Sequence, residues 1–134
     1  MPKPEHVELA KLFLRKAASD LNAARTLAAD VDQLDDVVGF HLQQAVEKSF
    51  KAALAVAAVR VRATHDLNFL VDVLIENGIE PPEPLNNADW LVPWAVSARY
   101  DEDFEVLDRS EALEFASSAF QWAQARVASS SAEG

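Results

Sequence analysis

Residues 40–54 read FHLQQAVEKSFKAAL, and the way their polar and apolar positions alternate decides the fold. At 100° per residue, Leu42, Ala45, Val46, Phe50, Ala52 and Ala53 gather on one side of a helix. Val56 and Ala57 continue that side beyond the stretch, so the apolar arc covers about half the circumference. Phe40, Leu54 and Ala55 fall on the other side, mixed among His41, Gln44, Glu47, Lys48 and Lys51. A helix that is apolar on more than one side belongs at the centre of a bundle or in a subunit interface. The pattern predicts this helix from about Leu34 to Val59.

Working outward, the flanks follow the same period. Pro4 suits the first turn of a helix, where a missing N–H costs nothing. Ala10, Phe13/Leu14, Ala17, Leu21, Ala24 and Ala28 then repeat at helical spacing to about Ala29. The Asp-rich DVDQLDD of residues 30–36 reads as a connector, with its last acids placed at the positive end of the next helix. Downstream, Thr64 is the expected N-cap of a helix over Asp66–Asn77, closed by Gly78 and the EPPEP run of residues 80–84. A further helix is expected over Leu85–Ala98, kinked or split at Pro93. Asp108 and Glu111 have the spacing of a capping box for the last helix, and a frayed tail is expected over residues 129–134. No repeat or linker divides the 134 residues. The expectation is a single all-α domain over residues 1–134, an antiparallel up-and-down bundle of four to five helices.

Composition narrows the function classes. Half the residues are apolar, only three are glycine, and none is cysteine. The lack of thiols excludes disulfides, zinc–thiolate sites and a cysteine nucleophile, and it suits a reducing cytoplasm. No apolar run reaches the roughly 18 residues a membrane span needs, and charges interrupt the N-terminal segment too often for a signal peptide. The expectation is a cytoplasmic protein without a membrane role. A net charge of −10 argues against broad non-specific nucleic-acid binding. From Lys48 to His65, however, the chain carries Lys48, Lys51, Arg60, Arg62 and His65 without one acid. That stretch is a positive island.

The same residues carry a family resemblance. FHLQQAVEKSFKAAL, the later THDLNFLVDVL and then SARYDEDF together resemble the HEPN domain family. That family's pattern runs Phe-His-x-Gln-Gln-Ala-x-Glu-Lys-x-x-Lys-Ala, then Thr-His-Asp-Leu, then Arg-Tyr near the start of the last helix. The likeness extends from about Phe13 to Phe120. It implies a homodimeric helical bundle, often beside a minimal nucleotidyltransferase partner, with nucleotide or RNA functions. Toxin–antitoxin systems are one such setting.

The candidate site residues follow. His41, Gln44, Lys48 and Lys51 are spaced to line one edge of their helix, and two ammoniums, an amide and an imidazole suit a phosphate and a base edge. With His65 and Arg99 they form the candidate ligand-binding set. The plain alternative is that Glu47–Lys51 decorates a solvated face while His41, Gln43 and Gln44 bond across a dimer seam. Ribonucleases of the family carry Arg, four to six residues, then His near the start of a late helix. Arg60 and His65 match that spacing, but in the loop before the third helix. At the position the family uses stands Arg99-Tyr100, and no histidine follows it. No catalytic residue is therefore assigned; Arg60 and His65 remain the ribonuclease alternative, with the His65 ring otherwise expected to bond to backbone. The resemblance makes Tyr100 a candidate nucleotidyl acceptor; the plain alternative pairs Arg99 with Asp101 or Asp103. No Glu-x-x-His pair suggests a di-metal centre and no glycine-rich loop cradles phosphate, so no metal or cofactor is expected. A purely structural dimeric scaffold is the third reading.

Overall fold

The computed structural model describes residues 2–95 and 106–133. Helix α1 spans Pro4–Ala28, α2 Asp35–Val56, α3 Leu67–Glu76 and α4 Arg109–Glu133, with a 3₁₀ segment at Asp89–Ala95. Among the described residues there is no strand, and the architecture is an all-α bundle. Among them, too, no helix is long and apolar enough to cross a membrane.

Helix α2 is the axis of the fold and packs against every other element. Leu42, Val46, Phe50 and Leu54 are buried on it, as its mixed pattern demands, and so are Ala52, Ala53, Ala55 and Val56. Around them gather Leu21 and Ala24 of α1, Leu67, Leu70 and Leu74 of α3, Trp94, and Phe115, Ala116 and Ala119 of α4. Asp20, late in α1, meets His41, early in α2, whereas Ala10 clusters with Ala52 and Val56, so α1 and α2 are antiparallel. Arg109 at the start of α4 bonds Asp35 at the start of α2, and Val127 joins Ala52 and Val56 further on. Helix α4 is therefore parallel to α2, because the connection after α2 carries the chain back to that helix's beginning.

Two local contacts fix the connections. Arg109 donates through Nε to Asp35 Oδ1 at 2.9 Å, through one terminal nitrogen to the carbonyls of Ala28 and Asp30, and through the other to that of Gln33. One guanidinium thereby holds the α1–α2 connector against the start of α4. Asp108 Oδ1 accepts the Glu111 N–H at 3.1 Å, the cap expected there. At Gly39 an added Cβ would lie 2.5 Å from Trp94 Cε3, so the absent side chain lets the indole rest on α2.

Three sequence expectations are corrected. The N-cap of α3 is Asp66, whose carboxylate accepts from the N–H groups of Asn68 and Phe69, while Thr64 Oγ accepts the Asp66 N–H one step earlier. Asp can reach two orphan donors of the first turn with one carboxylate, which a threonine two residues away cannot. Over the described part of the expected Leu85–Ala98 helix, up to Ala95, there are turns and then the 3₁₀ segment, since the prolines at 81, 82, 84 and 93 remove donors from an α-helical ladder. Finally, α2 stops at Val56. Ala58 takes φ 60°, and the N–H groups of Ala58 and Val59 turn back to the carbonyls of Ala55 and Leu54, each at 3.0 Å. That is a Schellman ending without its usual glycine.

Candidate functional site

The site grows from one buried acid. Glu47 lies on α2 with its side chain 1% exposed. Positions 43, 44 and 51 stand about one turn from it, and Lys48, its neighbour in the chain, bends its long stem back to the same carboxylate. Lys51 Nζ donates to Oε2 at 2.9 Å and Lys48 Nζ to the same oxygen at 3.3 Å. Both lysines are 16% exposed, so their stems lie on protein while their heads stay near the rim.

A chain of amides completes the arrangement. Lys48 also donates to Gln44 Oε1 at 2.8 Å, Gln44 Nε2 donates to Gln43 Oε1 at 2.7 Å, and Gln43 Nε2 donates to the His65 carbonyl at 2.9 Å. Longer contacts of 3.4 and 3.5 Å run from the two glutamine nitrogens to Glu47 Oε1. Gln43 is fully buried and Gln44 nearly so. These bonds satisfy polar groups that would otherwise be costly inside the bundle.

The loop after α2 supplies the last partner. The Thr64 and Asp66 bonds set the entry to α3, and this brings His65 Nδ1 to 2.7 Å from Glu47 Oε1. An ionised carboxylate only accepts, so Nδ1 carries the proton and Nε2 is the ring's open position. The imidazole is 68% exposed, and Nε2 is the nitrogen it can present. The ring is thus tied to a carboxylate rather than to backbone.

Burial on its own pushes the Glu47 carboxyl up. The hydrogen bonds from Lys51 and His65 and the charges of Lys48 and Lys51 outweigh it, so the group sits below the usual glutamate range and is ionised at neutral pH. One carboxylate facing two ammoniums leaves net positive charge. Arg60 and Arg62 are exposed in the adjoining loop, with the Arg62 guanidinium carbon 4.1 Å from the Phe69 ring centre. A cleft of about 650 Å³ opens beside Lys51, Arg60 and Arg62.

The structure divides the residues singled out in the sequence. Gln44, Lys48, Lys51 and His65 come together around Glu47. His41 does not join them; its Nδ1 pairs with Asp20 Oδ1 on α1 at 3.0 Å. Arg60 lines the cleft with Lys51. Arg99 and Tyr100 lie outside the described residues, and so do Asp101 and Asp103. Glu47–Lys51 is not decoration on a solvated face, since Glu47 is enclosed, and Gln43 and Gln44 bond within their own chain. Glu47, expected in the sequence only as half of a surface pair, and Gln43, expected only at a dimer seam, are the site residues the candidate set left out. The place of Gln43 four residues before Glu47 was the available signal.

A family model described as the HEPN domain matches residues 10–126, which covers most of the chain. No curated protein and no solved structure matches. The chain belongs to the HEPN domain family.

Proposed function

We propose, with HEPN membership as the premise, that this helical module binds a nucleotide or another phosphate polyanion on the surface around Lys48, Lys51, His65, Arg60 and Arg62. The carrying observation is the surplus of positive charge around Glu47 in a chain of net charge −10. A local cationic patch concentrates anions there even when the whole molecule repels them. The matching protein partner is a nucleotidyltransferase of a toxin–antitoxin type system, with Tyr100 as its acceptor. Homodimerisation belongs to the same reading. Val31, Leu34 and Val37 present apolar side chains to solvent where α1 turns into α2, a surface a second copy would cover. Sedimentation equilibrium at micromolar concentration is expected to give twice the 14.7 kDa chain mass.

The test of binding is a melting-temperature series with AMP, ATP and a short RNA at millimolar nucleotide. Stabilisation is expected in the wild type and should be reduced in Lys48→Gln and in Arg60→Gln/Arg62→Gln. If no nucleotide moves the wild-type melt, the reading fails.

One observation favours a second reading, the metal-independent ribonuclease. A buried carboxylate fixes the His65 tautomer and leaves Nε2 exposed, as a general acid–base requires, and Arg60 stands five residues earlier. Purified protein with single-stranded RNA and a chelator decides it. Intact RNA over hours is expected. Cleavage abolished in both His65→Ala and Arg60→Ala would establish the enzyme instead, whereas loss only in Arg99→Ala would move the site to the Arg99–Tyr100 segment.

A further inference from the structure

The cleft beside the cluster owes its existence to small side chains. The chain reads AALAVAA over residues 52–58, from the last turn of α2 through the turn after it, and alanines at 55 and 58 leave space against the first turns of α1. Its walls are Leu9, Phe13, Leu54, Ala55, Val59 and Val61. Phe13 and Ala55 also belong to a small second core with Ala10, Ala52, Val56 and Val127, so the floor continues into packed hydrocarbon. The Schellman turn at Ala58 and the Arg62–Phe69 stacking hold the rim in place.

The polar lining is unusual in being one-sided. Lys51, Arg60 and Arg62 are donors without an acceptor, and His6 uses Nδ1 to accept the Lys3 N–H at 3.1 Å. Among the described residues no Asn, Gln, Ser, Thr, Asp or Glu lines the cleft. The exocyclic donors of adenine and cytosine call for side-chain acceptors, and among the described residues these walls offer only the His6 nitrogen already engaged by the Lys3 N–H. A volume of about 650 Å³ lies within the usual range for a small-molecule site. Three cations beside a hydrocarbon wall instead match a molecule with one charged end and an apolar body.

We propose that this cleft binds a small amphipathic anion, with a carboxylate or phosphate head on Arg60, Arg62 and Lys51 and a hydrocarbon tail along Leu9, Phe13 and Leu54. The proposal rests on the same cations as the anion-binding reading above but names a different class of occupant. It takes a single soluble molecule, not a polymer. Lys51 serves both sites because it reaches Glu47 from the cleft wall.

Isothermal titration of the full chain with hexyl, octyl and decyl phosphate below their micelle concentrations tests it, with inorganic phosphate and AMP as controls. One molecule per chain is expected, and each added methylene should tighten Kd about fourfold. Arg60→Gln/Arg62→Gln should weaken every homologue about tenfold while keeping that chain-length dependence. Leu9→Gln, at a position 44% exposed and so tolerant of a polar side chain, should flatten the dependence. Lys48→Gln, outside the cleft lining, should weaken the alkyl phosphates much less than the arginine pair does and leave the chain-length dependence intact. Equal affinity across chain lengths would overturn the proposal, as would AMP binding tighter than decyl phosphate. Binding only to vesicles of anionic lipid, or a dimer that Leu9→Gln converts to monomer with no alkyl phosphate bound, would overturn it as well. The two readings separate cleanly: nucleotide binding that depends on Lys48 without alkyl phosphate binding sinks this one alone. Alkyl phosphate binding without any nucleotide effect sinks the other.

Discussion

Glu47→Gln keeps the shape of the buried side chain and removes its charge. The wild-type carboxylate accepts from His65 at 2.7 Å, Lys51 at 2.9 Å and Lys48 at 3.3 Å. Hydrogen bonds to a charged group contribute about 1.5–3 kcal/mol each, and removing one partner of a buried pair costs about 3–5 kcal/mol. Three features lower the figure here. Both lysine heads stand near the rim and can turn to water, Lys48 keeps Gln44 Oε1 at 2.8 Å, and the mostly exposed His65 bond is screened. The expected loss at pH 7 is about 2–3 kcal/mol. For a chain of this length that is on the order of 6–12 °C in Tm.

Urea unfolding followed by far-ultraviolet circular dichroism measures the loss, and repeating it across pH isolates the charge. The folded-state pKa of Glu47 is depressed, so its contribution is complete above the unfolded glutamate value of about 4.3 and drains away as pH falls through the lower folded value. Wild type and variant should therefore differ fully at pH 7 and draw together only as pH falls below the unfolded glutamate value of about 4.3 and on through the lower folded one. A loss under about 0.5 kcal/mol at pH 7 would refute the idea that Glu47 organises the cluster. A gap that persists unchanged into acid would show that shape, not charge, is responsible.

Three further substitutions probe the frame that holds the site. Ala58→Gly relieves a left-handed conformation costing an L-residue about 1–2 kcal/mol, partly offset by glycine's greater unfolded freedom, so a gain of about 0.5–1 kcal/mol in urea is expected. Arg109→Lys cannot reproduce a fork that reaches Asp35 and the carbonyls of Ala28, Asp30 and Gln33, and should lower stability by about 2 kcal/mol. Gly39→Ala places a methyl against the Trp94 indole and should cost about 1–3 kcal/mol, with a changed near-ultraviolet tryptophan signal as its signature.

Much of the fold was legible because helical period is a local property. The span of α1, the central burial of α2 and the Asp108 cap all follow from residues within a turn or two of one another. The end of α2 was not, because Ala58 adopts a conformation that sequence normally signals with glycine. Asp66 and Thr64 both have capping chemistry, and only the approach of the loop decides between them. Proline positions forecast a break near Pro93 but not a 3₁₀ path, which depends on Trp94 seating against Gly39. For the site, Gln44, Lys48 and Lys51 share an edge through spacing alone. Whether Glu47 between them faces water depends on a loop eighteen residues away that brings His65 over it, and no helical periodicity encodes that.

Glu47 also sets the order in which the cations can act on a ligand. An anion approaching Lys48 or Lys51 meets ammoniums already within 3.3 Å of a carboxylate, so part of their field is neutralised before the ligand arrives. Arg60 and Arg62 pair with no carboxylate among the described residues, and both stand in solvent. Long-range capture therefore belongs to the arginines, while the lysines supply short-range donors fixed in place by the buried acid. Such fixing has a benefit of its own, since a lysine held at one point loses less rotamer freedom on binding than one that was loose. Neutralising an arginine should consequently weaken binding of an anion more than neutralising Lys48, and the excess should shrink as salt screens the unpaired charges first.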